Sequence, residues 1–357
     1  MKVITIVGAR PQFIKAAVVS REFAKSKEIK EIIVHTGQHF DTNMSDIFFE
    51  EMQIPKPDYN LNINGLSHGA MTGQMLEKIE EVLLKERPDW VLVYGDTNST
   101  LAGALAAKKL HIRVVHVEAG LRSFNDKMPE EINRILTDRI SNILFCPTNT
   151  ALKNLKNEGY DNLNAKVVLS GDVMEDAAIF YKKLAKKPKN VDLEDDFILI
   201  TLHRAENTDD EVKLREIFET LEDVAKNTQI IFPLHPRTKV KLKQYNIDLK
   251  NITVIEPVGY LEMVYLLDKT KLVITDSGGL QKEAFFFNTP CVTLRDETEW
   301  VELIENNVNI LAGSNSKKIK DAIGILSQRE LVFNINLYGN GLAAKNIVDT
   351  LWERTSG

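Results

Sequence analysis

Apolar residues gather in short, β-branched runs separated by longer stretches of helical period. In the first half the runs are Val3–Val7, Glu31–His35, Trp90–Tyr94, Val114–Val117, Ile143–Cys146 and Val167–Leu169. In the second half they are Ile198–Leu202, Ile230–Pro233, Thr253–Ile255, Leu272–Thr275, Cys291–Thr293 and Asn309–Leu311. Most are continuous rather than alternating, the pattern of strands covered by helices on both faces. Met71–Lys85, Leu101–Lys109, Asp209–Ala225 and Lys317–Leu326 supply the helical stretches between them. Strand and helix in alternation predict an α/β protein with parallel sheets. The polar stretch Lys182–Asp196 interrupts the rhythm and reads as a solvated loop rather than a metal site.

Length and composition narrow the picture. A chain of 357 residues is long for one core, so two domains are expected, changing near Ser170–Asp172. Hydrophobic residues at 43% and charged residues at 27% exclude a disordered chain. A net charge of -6 argues against nucleic acid as the main ligand, which needs a basic face, but leaves room for a small anion. The two cysteines, Cys146 and Cys291, sit in apolar runs and read as buried free thiols, so neither a disulfide framework nor a cysteine zinc site is expected. The opening MKVITIVGAR is too short an apolar run for a signal peptide, and no segment approaches a membrane span. A cytoplasmic enzyme with no membrane partner is the expectation. The dinucleotide fingerprint G-x-G-x-x-G, the P-loop and H-E-x-x-H are absent, so neither cofactor nor metal is expected.

Ligands of open parallel sheets bind beyond the carboxyl ends of the strands, so the residues just after each run carry the candidate chemistry. The first is Gly8-Ala9-Arg10-Pro11-Gln12, with Arg10 a fixed cation or a surface ion-pair partner, and Lys15 a turn or two later. Asp96 follows Gly95 after the third run, either as a reacting carboxylate or as a helix cap. Glu118 stands directly after a buried run in a turn of small residues, where a surface role is harder to argue. In Met128-Pro129-Glu130-Glu131-Ile132-Asn133-Arg134 the two glutamates fit the positive end of a helix, with or without a task, and Ile132, Ile135, Leu136 and Ile140 form its expected buried stripe. In the second half His203-Arg204 and His235-Pro236-Arg237 each end a strand and suit a phosphate or a proton-transfer task. Asp276-Ser277-Gly278-Gly279 opens a helix with bare N–H groups, a ready diphosphate site, and Glu283 follows one turn on, within reach of a ribose diol.

Taken together, GARPQFIK, HTGQHF, YGDTNST, HVEAGLRS, MPEEINR, LHRAEN, PLHPR and TDSGGLQKEA resemble, in order and over essentially the whole chain, the non-hydrolysing UDP-N-acetylglucosamine 2-epimerase family. The resemblance implies a fold similar to GT-B glycosyltransferases: two Rossmann-like domains, 1–170 and 171–342, facing a central cleft, with the last helix, within 343–357, returning to the first. It implies acid/base carboxylates at Asp96, Glu118 and Glu130 and a catalytic histidine at His203. Glu131, beside Glu130, is read as a first-turn charge. The diphosphate falls to Arg10 and Ser277-Gly278-Gly279 and the ribose to Glu283. Lys15, Arg134, His235 and Arg237 complete the expected substrate-binding set. The substrate is a UDP-sugar, the assembly a homodimer, and the reaction is elimination and re-addition of UDP, which needs no nicotinamide. UDP-GlcNAc is the first expected substrate. Gly8-Ala9-Arg10-Pro11-Gln12, where Gly-Thr-Arg-Pro-Glu is commoner, and Gly171-Asp172 in place of Gly-Asn resemble the branch acting on UDP-2,3-diacetamido-2,3-dideoxyglucuronate. A GT-B-type glycosyltransferase is the alternative of another class. Bacterial members also carry a regulatory UDP-GlcNAc site near Gln38-His39; Phe40 stands here where a charged residue is usual, so that allostery is not expected.

Overall fold

A computed structural model of the chain describes residues 1–38 and 46–356, so His39 and Phe40 lie outside the described residues. The chain divides into two compact units, Met1–Ala177 with Asn336–Gly357, and Ala178–Ile335.

The first unit runs β1 (Lys2–Val7), α1 (Arg10–Phe23), β2 (Lys30–His35), α2 (Asp46–Glu51), β3 (Tyr59–Asn60), α3 (His68–Glu86) and β4 (Trp90–Tyr94). It continues with α4 (Asn98–Lys109), β5 (Arg113–Val117), α5 (Pro129–Ile140), β6 (Ile143–Cys146), α6 (Asn149–Asn157), β7 (Lys166–Leu169) and α7 (Val173–Lys182), the last crossing into the second unit. The second unit holds β8 (Ile198–Thr201), α8 (Ala205–Thr208), α9 (Glu211–Val224), β9 (Ile230–Pro233), α10 (Pro236–Gln244), β10 (Thr253–Ile255) and α11 (Tyr260–Lys269). It ends with β11 (Leu272–Thr275), α12 (Gly278–Phe286), β12 (Cys291–Thr293), α13 (Val301–Glu305), β13 (Asn309–Leu311) and α14 (Ser316–Gln328). The chain then returns to the first unit, where α15 (Ala343–Ser356) lies against α1.

Each unit has its own parallel sheet, in the order β3-β2-β1-β4-β5-β6-β7 and β10-β9-β8-β11-β12-β13. Strand order reverses between β1 and β4 in the first and between β8 and β11 in the second. Loops diverge at such a switch point and leave a crevice at the carboxyl edge, where ligands of doubly wound sheets bind. The Gly8–Gln12 and Gly95–Thr100 segments flank the first switch; His203-Arg204 and Asp276–Gly279 flank the second.

Every predicted strand is present, with ends moved by a residue or less. The two-residue edge strand β3 escaped the sequence pattern because it has no apolar run of its own. The strands are buried on both faces: Val91, Leu92, Val93 and Tyr94 of β4 have no exposed surface. Lys182 closes α7, and Lys183–Asp196 is free of helix and strand, as the polar composition required. Cys146 and Cys291 are buried free thiols, also as expected.

The expected orientation of α5 is wrong. Glu131, Asn133, Thr137 and Asp138 are buried, while Ile132, Ile135 and Leu136 are 48%, 40% and 47% exposed. The polar face turns inward because His116 of β5 and the Asp96 turn after β4 need its hydrogen bonds more than the core needs its apolar side chains.

Where the chain returns to the first unit, the backbones of Gly171 and Gly339 approach so closely that a Cβ on either would clash, and both have positive φ. The Asp172 amide donates to the Tyr338 carbonyl at 2.6 Å. Asp176 of α7 accepts from the Ala343 and Ala344 amides at 3.1 and 2.9 Å, capping α15. Burial raises its carboxyl to about 6. Among the described residues no helix is long and apolar enough to cross a membrane.

Candidate active-site residues

In the first unit the site is built on the turns after β1, β4 and β5. Gly8 packs so tightly on Ser99 and Thr36 that no side chain fits there. Pro11 opens α1 with its φ already helical. The next residue, Gln12, is 3% exposed and ties two loops together. Its carbonyl oxygen accepts from the Gly8 and Ala9 amides at 2.8 and 3.1 Å. Its amide donates to the Tyr94 carbonyl at 2.7 Å and to the Thr97 and Thr100 hydroxyls at 3.0 Å. Arg10 is thus held at the head of α1 beside the β4 turn.

Asp96 and Glu118 end adjacent paired strands, since Tyr94 lies in register with Val117. Both turns use left-handed backbone, Gly95 at φ 62° and Glu118 at φ 71°. The second is a strained geometry for a residue with a side chain. Each carboxylate has a cation: Lys15 pairs with Glu118 and Arg134 with Asp96. A Cβ on Gly95 would lie 3.5 Å from Glu118 Oε2 and 3.9 Å from Lys15 Nζ, so the two turns and Lys15 meet at one place. Desolvation raises the Asp96 carboxyl above the usual carboxylate range, against the pull of Arg134 and with the push of Glu118 and Glu130. A carboxyl raised in this way beside its own cation is suited to a proton-transfer task.

The neighbours Glu130 and Glu131 differ sharply. Glu130, in the first turn of α5, is exposed. Glu131 is 2% exposed, and its carboxylate accepts from the Ser123 amide at 3.0 Å and the Phe124 amide at 2.9 Å. It also lies 3.3 Å from Arg134 Nη1. Glu131 is therefore the anchor of the loop before α5, not the idle first-turn charge expected. Asn133 adds a second tie, donating to the Asp96 carbonyl at 2.9 Å.

In the second unit the organising group is Asp276, fully buried after β11. Its carboxylate accepts from the His203 amide at 3.1 Å, the Arg204 amide at 2.9 Å and Asn207 Nδ2 at 3.3 Å. His203 Nδ1 stands 3.6 Å from Asp276 Oδ1. His203 and His235 stack with ring centres 5.2 Å apart. His235 Nδ1 accepts from the Arg237 amide at 3.2 Å, which caps α10. Burial, with His203 nearby, holds the His235 imidazole below its usual range. Arg237 itself turns to Thr208 at 2.9 Å and Asp209 at 2.5 Å, so the structure brings His235 to His203 but gives Arg237 a carboxylate partner.

Ser277 is the N-cap of α12, and Gly278 and Gly279 form its first turn. A side chain on Gly278 would strike the Glu299 carboxylate, with Arg204 Nη2 at 3.5 Å. A side chain on Gly279 would meet no protein atom within 4 Å. Among the described residues nothing requires a glycine at 279, whereas a ligand lying on the backbone would. Glu283 follows one turn further on the same helix. Lys282, 3% exposed, sits 4.0 Å over the Trp300 ring, and Trp300 Nε1 donates to the Gly278 carbonyl at 3.0 Å. Among the described residues no cluster of three or more histidine, cysteine or acidic side chains could hold a metal.

A family model for UDP-N-acetylglucosamine 2-epimerase matches residues 21–352. The chain belongs to this family. It is 56% identical over 352 residues to a UDP-2,3-diacetamido-2,3-dideoxy-D-glucuronate 2-epimerase of Pseudomonas aeruginosa, covering 98% of this chain and 99% of the relative. A crystal structure of the Methanocaldococcus jannaschii UDP-GlcNAc 2-epimerase, in complex with UDP-GlcNAc and UDP, matches with a TM-score of 0.87 at 47% identity, covering 99% of this chain and 100% of that one. The Neisseria meningitidis UDP-GlcNAc 2-epimerase bound to UDP-GlcNAc gives the same TM-score at 34% identity, covering 99% and 100%. A lipopolysaccharide outer core galactosyltransferase, at 12% identity and a TM-score of 0.59, shares the fold alone. The α/β fold of two parallel sheets is the GT-B-like one of these 2-epimerases.

Reading this UDP-N-acetylglucosamine 2-epimerase family member by strand ends singled out Arg10, Asp96, Glu118, His203 and the Ser277 turn, which lie at the carboxyl edges of the two sheets. It missed the residues that orient them: Gln12, Glu131, Asn133, and Asp276 as a hub. The signal for α5 was its polar spacing, Asn133, Thr137 and Asp138, which defines a face as well as the apolar residues do.

Proposed function

We propose that this protein is a non-hydrolysing 2-epimerase of UDP-2-acetamido sugars. The observation that carries the reading is the meeting of Asp96 and Glu118, each with its own cation, at the ends of two neighbouring strands, with Asp96 raised by desolvation. The C2 proton of such a sugar has no carbonyl to acidify it. The C1–O bond therefore breaks first, its electron pair leaving with the UDP β-phosphate oxygen. The cation that remains at C1 acidifies the C2 proton, and a carboxylate takes it as a C1=C2 double bond forms. Protonation of C2 from the other face and return of the UDP oxygen to C1 invert the centre. Asp96, Glu118 and Glu130 are the acid/base groups of this scheme. Arg10 binds the substrate, with Lys15 and Arg134 setting the charge around the carboxylates. His203 and the N–H groups of the Ser277-Gly278-Gly279 turn stabilise the leaving diphosphate, Glu283 takes the ribose, and His235 backs His203. Arg237, half-exposed and held near His235 by Thr208 and Asp209, completes the substrate-binding set.

For the sugar, the 56% identity to the Pseudomonas enzyme and the Gln12 and Asp172 variants favour UDP-2,3-diacetamido-2,3-dideoxyglucuronate. UDP-GlcNAc is the second reading, favoured by the archaeal and meningococcal relatives. A panel of UDP-sugars, with and without a C3 acetamido group and a C6 carboxylate, followed by NMR without acceptor, tests both. The reading expects the diacetamido uronate to turn over fastest. No epimerisation of any member, with sugar transfer once an acceptor is added, would replace it with a glycosyltransferase. We further propose a homodimer, with a second copy seated on the exposed Ile132, Ile135 and Leu136 face of α5. Its support is that these three apolar side chains stay 40–48% exposed on a helix whose polar side is already buried.

A further inference from the structure

His116, on β5, lies inside the first unit with no exposed surface. Both of its ring nitrogens face oxygen. Nδ1 is 2.7 Å from Asp138 Oδ1 and Nε2 is 2.7 Å from the Gly95 carbonyl. The carbonyl can only accept. Asp138 is fully buried too, and its other oxygen accepts from Arg122 Nη1 at 2.7 Å and the Gly120 amide at 3.1 Å, partners that suit an ionised carboxylate. A ring between two acceptors donates from both nitrogens and is an imidazolium. Its charge is balanced locally: Asp138 and Glu158 are the acids, and Arg122 joins them, gripping Glu158 with two bonds of 2.7 and 2.8 Å. Buried charges persist when paired and fully hydrogen-bonded in this way.

The position of this group is what gives it a role. Gly95 immediately precedes Asp96, and its left-handed backbone must be held for Asp96 to face Arg134. Gly120 lies two residues after Glu118, in the same turn as that residue's strained backbone. Asp138 sits in the last turns of α5, the helix whose first turn carries Glu130. One buried carboxylate with its histidine therefore connects the three segments that bear the acid/base groups. We infer that His116 and Asp138 are positioning residues for the reaction. The doubly protonated His116 clamps the Gly95 carbonyl and so fixes the Asp96 turn relative to that of Glu118. They touch no substrate and act through the turns. The inference rests on the epimerase reading above for its kinetic consequence, but not for its chemistry.

The experiment has two arms. In wild-type protein labelled with ¹⁵N-histidine, NMR at neutral pH is expected to show two protons on the ring of His116, one on each nitrogen. A single N–H on that ring would overturn the imidazolium assignment, and this arm needs neither substrate nor variant. The second arm compares His116→Gln with His116→Asn. The Gln amide reaches the Nε2 position and keeps a donor for Gly95; the Asn amide reaches only the Nδ1 position and keeps the bond to Asp138. His116→Asn is expected to lower kcat about 10–100-fold, the scale of a displaced catalytic group, while UDP affinity stays within about twofold. His116→Gln is expected to restore much of that rate. Equal losses in both, or a loss in UDP affinity matching the loss in kcat, would reduce His116 to a structural residue. Wild-type protein with no exchange at C2 of any UDP-2-acetamido sugar would defeat the epimerase reading instead, and the proton count on the ring would still judge the assignment.

Discussion

Two neighbouring glutamates show how far a single residue's chemistry depends on where its carboxylate ends up. Glu130 is exposed at the first turn of α5, and Glu131 accepts loop amides in the interior. Glu130→Gln is expected to leave the melting temperature unchanged and to slow epimerisation roughly 10²–10⁴-fold, the usual cost of a positioned acid or base. Glu131→Ala leaves buried N–H groups unsatisfied, so a loss of about 1–3 kcal/mol is expected in urea unfolding. A stable, active Glu131→Ala beside a stable, active Glu130→Gln would show that neither role is right. Glu31 offers a pH test. Burial raises its carboxyl to about 7, against a hydrogen bond from Thr5. The unfolded chain releases that proton near 4.5, so between the two values the folded state binds more protons. Stability from this group is therefore present at low pH and lost as pH rises through about 7. Glu31→Gln should narrow the difference in unfolding free energy between pH 5 and pH 8; an unchanged difference would move that titration elsewhere.

At the level of elements, α5 is where the apolar pattern gives the least warning. Strand positions were legible because a strand buried on both faces must be apolar throughout, and the candidate site residues stood out because they follow strand ends. The face of α5 was misread because its burial answers to hydrogen bonds with His116 of β5 and with the Asp96 turn, which the spacing of apolar residues alone does not record. Ile135→Glu with Leu136→Glu should leave folding within about 0.5 kcal/mol, as exposed substitutions do, while shifting a dimer toward monomer in light scattering. Unfolding by that pair would mean the apolar face is held inside the protomer. On α12, Gly279→Ala is the cleaner probe of the diphosphate. It meets no protein atom and adds a better helix former, so stability should hold or rise. UDP affinity should nevertheless fall, because the new methyl stands where the phosphates approach the backbone. Unchanged affinity in calorimetry would remove the nucleotide from this turn.

Over the whole molecule, the parallel sheets and their switch points decide which loops carry chemistry. The alternation of strand and helix made both sheets visible in the sequence. The unit boundary within α7 was less visible, because a continuous helix carries the chain across it and the return at Asn336 is marked only by glycines and a capping aspartate. The account as a whole rests on breaking the C2–H bond after UDP departs and remaking it on the other face. In D2O, with a UDP-2-acetamido sugar and no acceptor, wild-type protein is predicted to place solvent deuterium at C2 of the epimerised product. An epimerised product that retains its original C2 proton, with no deuterium from solvent, would contradict elimination and re-addition.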